Sequence, residues 1–179
     1  MKNLLLIFFA LTLSCCDKDN EPRPIAEIDK LPPATQTGAD KIGCLLDGKA
    51  FLPGKYNNAT NCYYQFTNGG YYFHVSLSYT VYGSTNNILT GLAVNSGGVP
   101  ISEGTILILK ENTQNSPSGF YQYQYYPTYT TSTETGELKI TKLDPVNYIV
   151  SGTFWYNIKD YQGNLHKITD GRFDMHYTN

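Results

Sequence analysis

Four cysteines carry the most reactive side chains of this chain, and two of them are adjacent near the N-terminus. Cys15 and Cys16 come directly after Ser14 and an apolar run at residues 4–13, and Lys2 precedes the run. A positive charge, a short apolar run and a small residue before a cysteine are typical of a lipoprotein signal peptide. The run is also shorter than the ~20 apolar residues that a membrane-spanning helix needs. The pattern therefore predicts cleavage and attachment of diacylglycerol to a cysteine thiol.

Residues 11–14, which read LTLS, resemble the lipobox of such signals and place Ser14 directly before Cys15. We predict that residues 1–14 are removed and that Cys15 is lipidated. The alternative frame lipidates Cys16, but it leaves a cysteine before the cut, which is less usual. A plain secretory signal with two unrelated cysteines is the remaining interpretation. Acyl chains such as palmitate attach a protein to a membrane because each buried methylene contributes about 0.8 kcal/mol.

The other two cysteines, Cys44 and Cys62, follow the exported chain into an oxidising compartment. We predict a disulfide between them, which on the chain-entropy model stabilises the fold by about 3 kcal/mol. The rival interpretation is two buried free thiols. No histidine or further cysteine lies at zinc-finger spacing from either one, so a zinc site is not predicted.

The sequence lacks the motifs that are typical of other catalytic or metal sites. His74, His166 and His176 are far apart and form no H-E-x-x-H or similar motif, so we predict no metal and no cofactor. No G-x-S-x-G motif surrounds a serine, and neither exported cysteine has a histidine beside it in sequence. We therefore predict no catalytic residues and a protein that is not an enzyme.

Asp170 and Asp174, in the C-terminal stretch ITDGRFD, are the one carboxylate pair that could flank a glycosidic bond. A hydrolase with such a dispersed carboxylate site is therefore kept as an alternative. Arg172 alternates onto the same strand face as Asp174, however, and we expect these two to form a surface ion pair worth ~0–1 kcal/mol.

Aromatic side chains give the positive indication of a binding surface. The chain has 16 tyrosines, eight phenylalanines and one tryptophan, and tyrosine combines an apolar ring with a polar tip that suits sugars and protein partners. Tyr121, Tyr123 and Tyr125 alternate with glutamines and are expected to share one face of a strand. With Tyr126 and Tyr129 they form the candidate binding surface. The alternative is that they only pack against neighbouring strands.

The elements that position these residues are strands. From residue 41 onward apolar and polar residues alternate, and Asp47-Gly48 and Asn68-Gly69-Gly70 predict two hairpins. In the stretch 71–82, Phe73, Val75, Leu77 and Tyr79 are predicted to face the core, and Tyr72, His74, Ser76 and Ser78 to face water. No stretch shows the 3.6-residue period of a helix. About nine antiparallel strands predict an all-β domain, either a β-sandwich or an up-and-down β-barrel.

The chain divides into three parts on this interpretation: a signal peptide at 1–14, a lipidated N-terminus and proline-rich tether at 15–40, and one all-β domain at 41–179. Loss of Lys2 with the signal leaves 12 basic against 15 acidic side chains, a net charge of −3. Such a balance does not favour nucleic acid as a partner.

Three segments are similar to an uncharacterised family of Bacteroidota lipoproteins, a domain of unknown function. They are LPPATQTG at 31–38 with the following Gly43-Cys44-Leu45, SGTFW at 151–155, and ITDGRFD at 168–174. The resemblance implies an envelope lipoprotein with one domain, and it implies no catalytic residues. The acidic cluster at 17–21 also resembles the export signal of surface lipoproteins, although any solvated tether is charged.

The sequence thus predicts a lipid-anchored cell-envelope protein at the outer membrane, on its periplasmic or its outer face. We predict that it is a non-enzymatic binding or interaction module for a glycan or an envelope protein. A structural accessory subunit of an envelope assembly is the second hypothesis. The oligomeric state is left open.

Overall fold

Alternation along the chain produces strands throughout the computed structural model, which describes residues 24–55 and 59–179. The predicted lipidation sites Cys15 and Cys16 lie outside the described residues. The described residues contain one turn of 3-10 helix (Glu27–Lys30) and 11 strands: β1 (Lys41–Leu46), β2 (Lys49–Phe51), β3 (Thr60–Thr67), β4 (Gly70–Tyr82), β5 (Asn87–Asn95), β6 (Ile106–Leu109), β7 (Ser118–Tyr123), β8 (Tyr126–Tyr129), β9 (Gly136–Asp144), β10 (Ile149–Lys159) and β11 (Leu165–His176).

Two antiparallel sheets face each other. The six-stranded sheet has the order β2-β1-β11-β10-β9-β6, and the five-stranded sheet has the order β3-β4-β5-β7-β8. The all-β prediction is confirmed, and of its two alternatives the sandwich is correct, not the barrel. The strand number exceeds the predicted nine, in part because the predicted strand at 119–126 ends at Tyr123 and a separate short strand, β8, pairs with it. No helix among the described residues is long and apolar enough to cross a membrane.

Both predicted hairpins form, and their turns lie at the predicted residues. Asp47 and Gly48 have φ angles of 51° and 77°, and Asn68 and Gly69 have φ angles of 50° and 80°. Positive φ at both central positions gives the turn whose twist matches that of the flanking strands, and Asn-Gly or Asp-Gly supplies it with little strain. These turns fix the β1–β2 and β3–β4 registers.

The core lies between the two sheets, and most of the β4 side chains that were predicted to be buried lie in it. Phe73, Val75 and Leu77 are each 1% exposed, as predicted. Tyr79 was predicted to join them but is 47% exposed, because this end of β4 continues beyond the core; Val81 is exposed as well. The largest fully buried side chain is Tyr156 of β10, whose hydroxyl donates a 2.7 Å hydrogen bond to the Phe120 carbonyl of the opposite sheet.

The predicted disulfide is not formed in the structure. Cys44 and Cys62 are both free, buried thiols, and burial raises the pKa of each to about 12, with the charge of Asp40 adding to the effect on Cys62. Cys44 lies on β1 of the six-stranded sheet and Cys62 on β3 of the five-stranded sheet. Facing sheets pack about 10 Å apart, whereas a disulfide needs Cα atoms within about 7 Å. The structure therefore has two buried free thiols, which was the rival interpretation.

Residues 31–40, which we predicted as the end of the tether, lie against the outer face of the six-stranded sheet. Leu31 is only 7% exposed. The carboxylate of Asp174 on β11 accepts hydrogen bonds from the Thr35 hydroxyl at 2.6 Å, the Gly38 amide at 2.8 Å and the Ser151 hydroxyl at 2.8 Å. The Thr37 and Ala39 amides donate to it as well. This segment is therefore part of the folded domain.

Candidate binding groove

A concavity lies on the outer face of the five-stranded sheet, and we call it the groove. Its volume is about 610 Å³, within the range of small-ligand sites. The outward side of β4, predicted from Tyr72, His74 and Ser76, forms part of its floor. The full set of residues lining it is Tyr63, Tyr72, Phe73, His74, Ser76, Ala93, Asn95, Gly97, Asn112, Thr113, Gln114, Phe120 and Tyr129.

A stacked ring pair stands at one side of the groove. Tyr63 on β3 and His74 on β4 are directly opposite each other in the register, and their ring centroids are 4.9 Å apart with planes 13° from parallel. Burial lowers the pKa of His74 to about 4, so its imidazole is neutral near pH 7. A neutral imidazole offers one donor and one acceptor. The pair thus combines a flat apolar face with hydrogen-bonding capacity.

A second ring pair stands at the other side of the groove. Phe120 on β7 and Tyr129 on β8 are also opposite each other, with ring centroids 5.3 Å apart and planes inclined by 60°. Tyr129 is 40% exposed, so its ring can be reached from solvent. The carbonyl of Phe120 is held from beneath by the hydroxyl of Tyr156. The core therefore fixes the backbone on which this pair is built.

Amide side chains close the groove between the ring pairs. Asn95 on β5 donates a 3.0 Å hydrogen bond to the hydroxyl of Ser118, and that hydroxyl lies 3.4 Å from the Asn112 side-chain oxygen. Asn112 belongs to the loop at 110–117, which also contributes Thr113 and Gln114. The Lys110 amide donates to the Pro117 carbonyl and closes the base of this loop.

Gly97 allows the loop to sit this close to the sheet. Its φ angle is +60°, and a Cβ atom there would collide with the Ser116 backbone. Only glycine tolerates both the conformation and the contact. Gly97 is thus the residue that sets the position of the loop wall.

The groove carries no formal charge near neutral pH. Of the described residues that line it, none is an aspartate, glutamate, lysine or arginine. His74 is its one histidine, and the low pKa keeps it neutral. Polar contacts inside the groove must therefore come from hydroxyl, amide, imidazole and backbone groups.

The predicted tyrosine surface is divided by a turn. Tyr121 is 5% exposed and faces inward, where its ring stacks on His166 at 4.7 Å, and burial raises its pKa to about 12. Tyr123 is half-buried and packs against the core. Tyr125 does not share their face, because β7 ends at Tyr123 and Gln124 turns the chain with a φ angle of +55°. Tyr125 is 88% exposed at the turn.

The other two predicted tyrosines also lie in different surroundings. Tyr126 stacks on Tyr161 of the β10–β11 turn, with ring centroids 4.1 Å apart, while Tyr129 lines the groove. Only Tyr129 of the five belongs to the groove. Two groove residues that the prediction did not select are Tyr63, which lies on β3, and Phe120, which lies on β7 beside the inward-facing Tyr121. The sequence signal for the site was the polar outward face of β4.

Asp170 and Asp174 do not act as a pair. Asp174 is 1% exposed, and burial raises its pKa, but the surrounding hydrogen-bond donors outweigh burial and hold the pKa well below its usual range. Arg172 donates instead to the Asp170 carbonyl at 3.3 Å, so the predicted Arg172–Asp174 ion pair is not found. Asp170 lies with Glu137 and Trp155 in a smaller cleft of about 300 Å³.

The other two histidines contact carboxylates at the surface. The Nδ1 atom of His166 lies 2.7 Å from Asp47, and its Nε2 atom lies 3.5 Å from Asp160. The Nδ1 atom of His176 lies 3.1 Å from Asp40. Within residues 24–55 and 59–179, histidines, cysteines and carboxylates form no group of three or more that could hold a metal ion.

No protein-family model, curated protein or solved structure matches this chain. The resemblance to a Bacteroidota lipoprotein family therefore stays a prediction. Two of the segments that carry it do touch: Thr35, Thr37 and Gly38 of LPPATQTG bind Asp174 of ITDGRFD. These motifs therefore have a shared structural role in fastening residues 31–40 to the sandwich.

Proposed function

We propose that this chain is a lipid-anchored, non-enzymatic carbohydrate-binding protein of the bacterial cell envelope, and that the groove is its binding site. The observation that carries the proposal is the combination of two ring pairs with amide side chains in one uncharged groove. A sugar ring has apolar C–H faces and a rim of hydroxyl groups. Aromatic faces contact the former, and amides, which both donate and accept, match the latter.

The dimensions favour a glycan over a protein partner. A volume of about 610 Å³ suits a ligand of small-molecule cross-section. A stable protein interface buries about 800 Å² on each partner and is centred on a well-packed apolar core. The groove instead alternates rings with polar groups and is concave.

Non-catalytic binding is supported by the functional groups present. The titratable side chains in the groove are Tyr63, Tyr72, His74 and Tyr129, and no carboxylate is available to protonate a glycosidic oxygen. Asp174, half of the carboxylate pair considered for a hydrolase, has its oxygens occupied by residues 35–39 and Ser151. Location at the outer membrane rests on the signal sequence alone.

A binding panel tests the proposal. The full chain, purified in detergent, is titrated calorimetrically with starch, mannan, mixed-linkage β-glucan, xylan, mucin O-glycans, polygalacturonate and hyaluronan. We expect saturable binding to at least one of them. Tyr129→Ala should weaken that binding at least tenfold, whereas Tyr125→Ala, a matched exposed tyrosine outside the groove, should leave it within twofold.

Three results would overturn the proposal in different ways. Equal losses of affinity in Tyr129→Ala and Tyr125→Ala would show that the groove is not the binding site. Release of reducing ends from a polymer would show that the protein is a hydrolase. Absence of binding to the whole panel, combined with crosslinking to one stoichiometric partner in intact envelopes, would establish the structural accessory role instead.

A further inference from the structure

We infer that the groove takes an uncharged oligosaccharide of more than one sugar, laid across the strands so that it contacts both ring pairs. This inference rests on the proposed function and specifies its ligand. It follows from three properties of the groove: the distance between the ring pairs, the low floor between them and the absence of charge.

The distance between the ring pairs follows from strand order. The Tyr63–His74 pair lies on β3 and β4, and the Phe120–Tyr129 pair lies on β7 and β8, with β5 between them. The middles of the pairs are three strand spacings apart, and at about 4.8 Å for each spacing this is about 14 Å across the sheet. One sugar ring cannot reach both pairs, but a short chain of sugars can.

The floor between the pairs is low, and polar side chains border it. Ala93 on β5 pairs with Ser76 on one side and Phe120 on the other, and the residue is 5% exposed. A small side chain at this position leaves open the path between the two ring pairs. Asn95, two residues further along β5, and Gln114 of the loop border that path. Both amides can bind hydroxyl groups of the central sugars.

The absence of charge selects against acidic glycans. A carboxylate or sulfate entering the groove would lose water without gaining a cationic partner, and an unpaired charge is costly to desolvate. The imidazole of His74 is neutral near pH 7 and does not replace such a partner. Neutral hydroxyl-bearing sugars exchange their water for amide and imidazole hydrogen bonds without this penalty.

Ladders of one to six sugars from starch, mannan and mixed-linkage β-glucan test the length requirement, with calorimetry on the full chain. Affinity should rise at least tenfold between one sugar and the length that spans both ring pairs, and then level off. Phe120→Ala should reduce the affinity for the longest oligomer at least tenfold while changing that for the shortest binding oligomer less than threefold. A single sugar that binds as tightly as the hexamer would overturn the inference.

The charge requirement is tested with the same polymers oxidised at C6 to uronic acids. Oxidation should weaken binding at least tenfold. Gln114→Lys places a cation at the exposed rim and should restore part of the affinity for the oxidised form, whereas the matched Gln162→Lys at the β10–β11 turn should not. Preference for an oxidised or naturally acidic polymer would overturn the inference and leave the proposed function intact. Failure of every polymer to bind would refute the proposed function itself.

Discussion

The hydroxyl of Thr35 donates a 2.6 Å hydrogen bond to the carboxylate of Asp174, 139 residues later in the chain. Asp174 receives further hydrogen bonds from backbone amides of residues 37–39 and from Ser151 while being almost fully buried. A single carboxylate thus joins the segment before β1 to the centre of the six-stranded sheet. Its removal is the sharpest test of how that segment is held.

Asp174→Asn should lower the free energy of unfolding by about 2–3 kcal/mol. The asparagine NH2 group would face backbone amides that also donate, and hydrogen bonds to a charged acceptor are worth about 1.5–3 kcal/mol. Urea unfolding of the full chain at pH 7 measures the loss. Asp170→Asn, at an exposed position of the same strand, is the control and should change stability by less than about 0.5 kcal/mol. A loss of unfolding free energy for Asp174→Asn as small as that of the control would show that the hydrogen bonds to this carboxylate contribute little.

The same carboxylate gives a pH dependence with a defined sign. Its folded-state pKa is depressed, so its contribution to stability is complete above the unfolded value near 3.9 and is lost as the pH falls toward the folded value. Wild-type stability should therefore fall between about pH 5 and pH 3 more steeply than that of Asp174→Asn. Parallel slopes in the two proteins would contradict this assignment.

His74 should make the fold less stable as the pH drops below 6.5. The unfolded chain binds a proton near pH 6.5, whereas partial burial of His74 in the folded protein delays protonation until about pH 4. His74→Gln should flatten the stability profile between these values. Sugar binding by the wild type should stay constant from pH 8 to pH 6 and decline near pH 4. A decline with a midpoint near pH 6.5 would show that the imidazole is not desolvated.

Cys44 and Cys62 should resist modification in the folded protein. Burial raises the pKa of both thiols to about 12, so very little reactive thiolate exists at pH 8, and both residues are buried in the core. Mass spectrometry after iodoacetamide treatment should find both unmodified in native protein and both alkylated in guanidinium chloride. Recovery of a Cys44–Cys62 disulfide from protein isolated from envelopes would restore the original prediction.

Lipidation should depend on Cys15. Cys15→Ser should abolish incorporation of an alkynyl palmitate label and release the protein from the membrane fraction, because signal cleavage and acylation both need that thiol. Cys16→Ser should leave labelling unchanged. The opposite pattern would select the alternative frame, and labelling of neither wild type nor variants would indicate a plain secretory signal.

Local turn chemistry and alternation made much of the fold predictable. Asp47-Gly48 and Asn68-Gly69 formed their hairpins because glycine and a short polar residue accept positive φ. The buried face of β4 followed directly from its period of two, up to Leu77. Beyond Leu77 the strand extends past the core. The residue at which its burial ends depends on the length of the facing sheet, and the sequence of β4 does not encode that length.

The groove was less predictable because it is assembled from distant segments. The tyrosine cluster pointed to one strand, but Gln124 adopts positive φ without the glycine that normally signals such a turn, and this separated Tyr125 from Tyr123. The loop wall depends on a contact between Gly97 and Ser116 that no sequence period reveals. The two buried cysteines likewise required knowledge of which sheet each strand joins.

The placement of the segment ending at residue 40 has a mechanical consequence. That segment is fastened to the six-stranded sheet, whereas the groove lies on the outer face of the five-stranded sheet. On the proposed function, tension between the anchor and a bound polymer would pass through the interior contacts of the sandwich, including the Tyr156–Phe120 hydrogen bond, before reaching Asp174. Such a force would load the contacts between the two sheets together and would not peel one edge strand at a time.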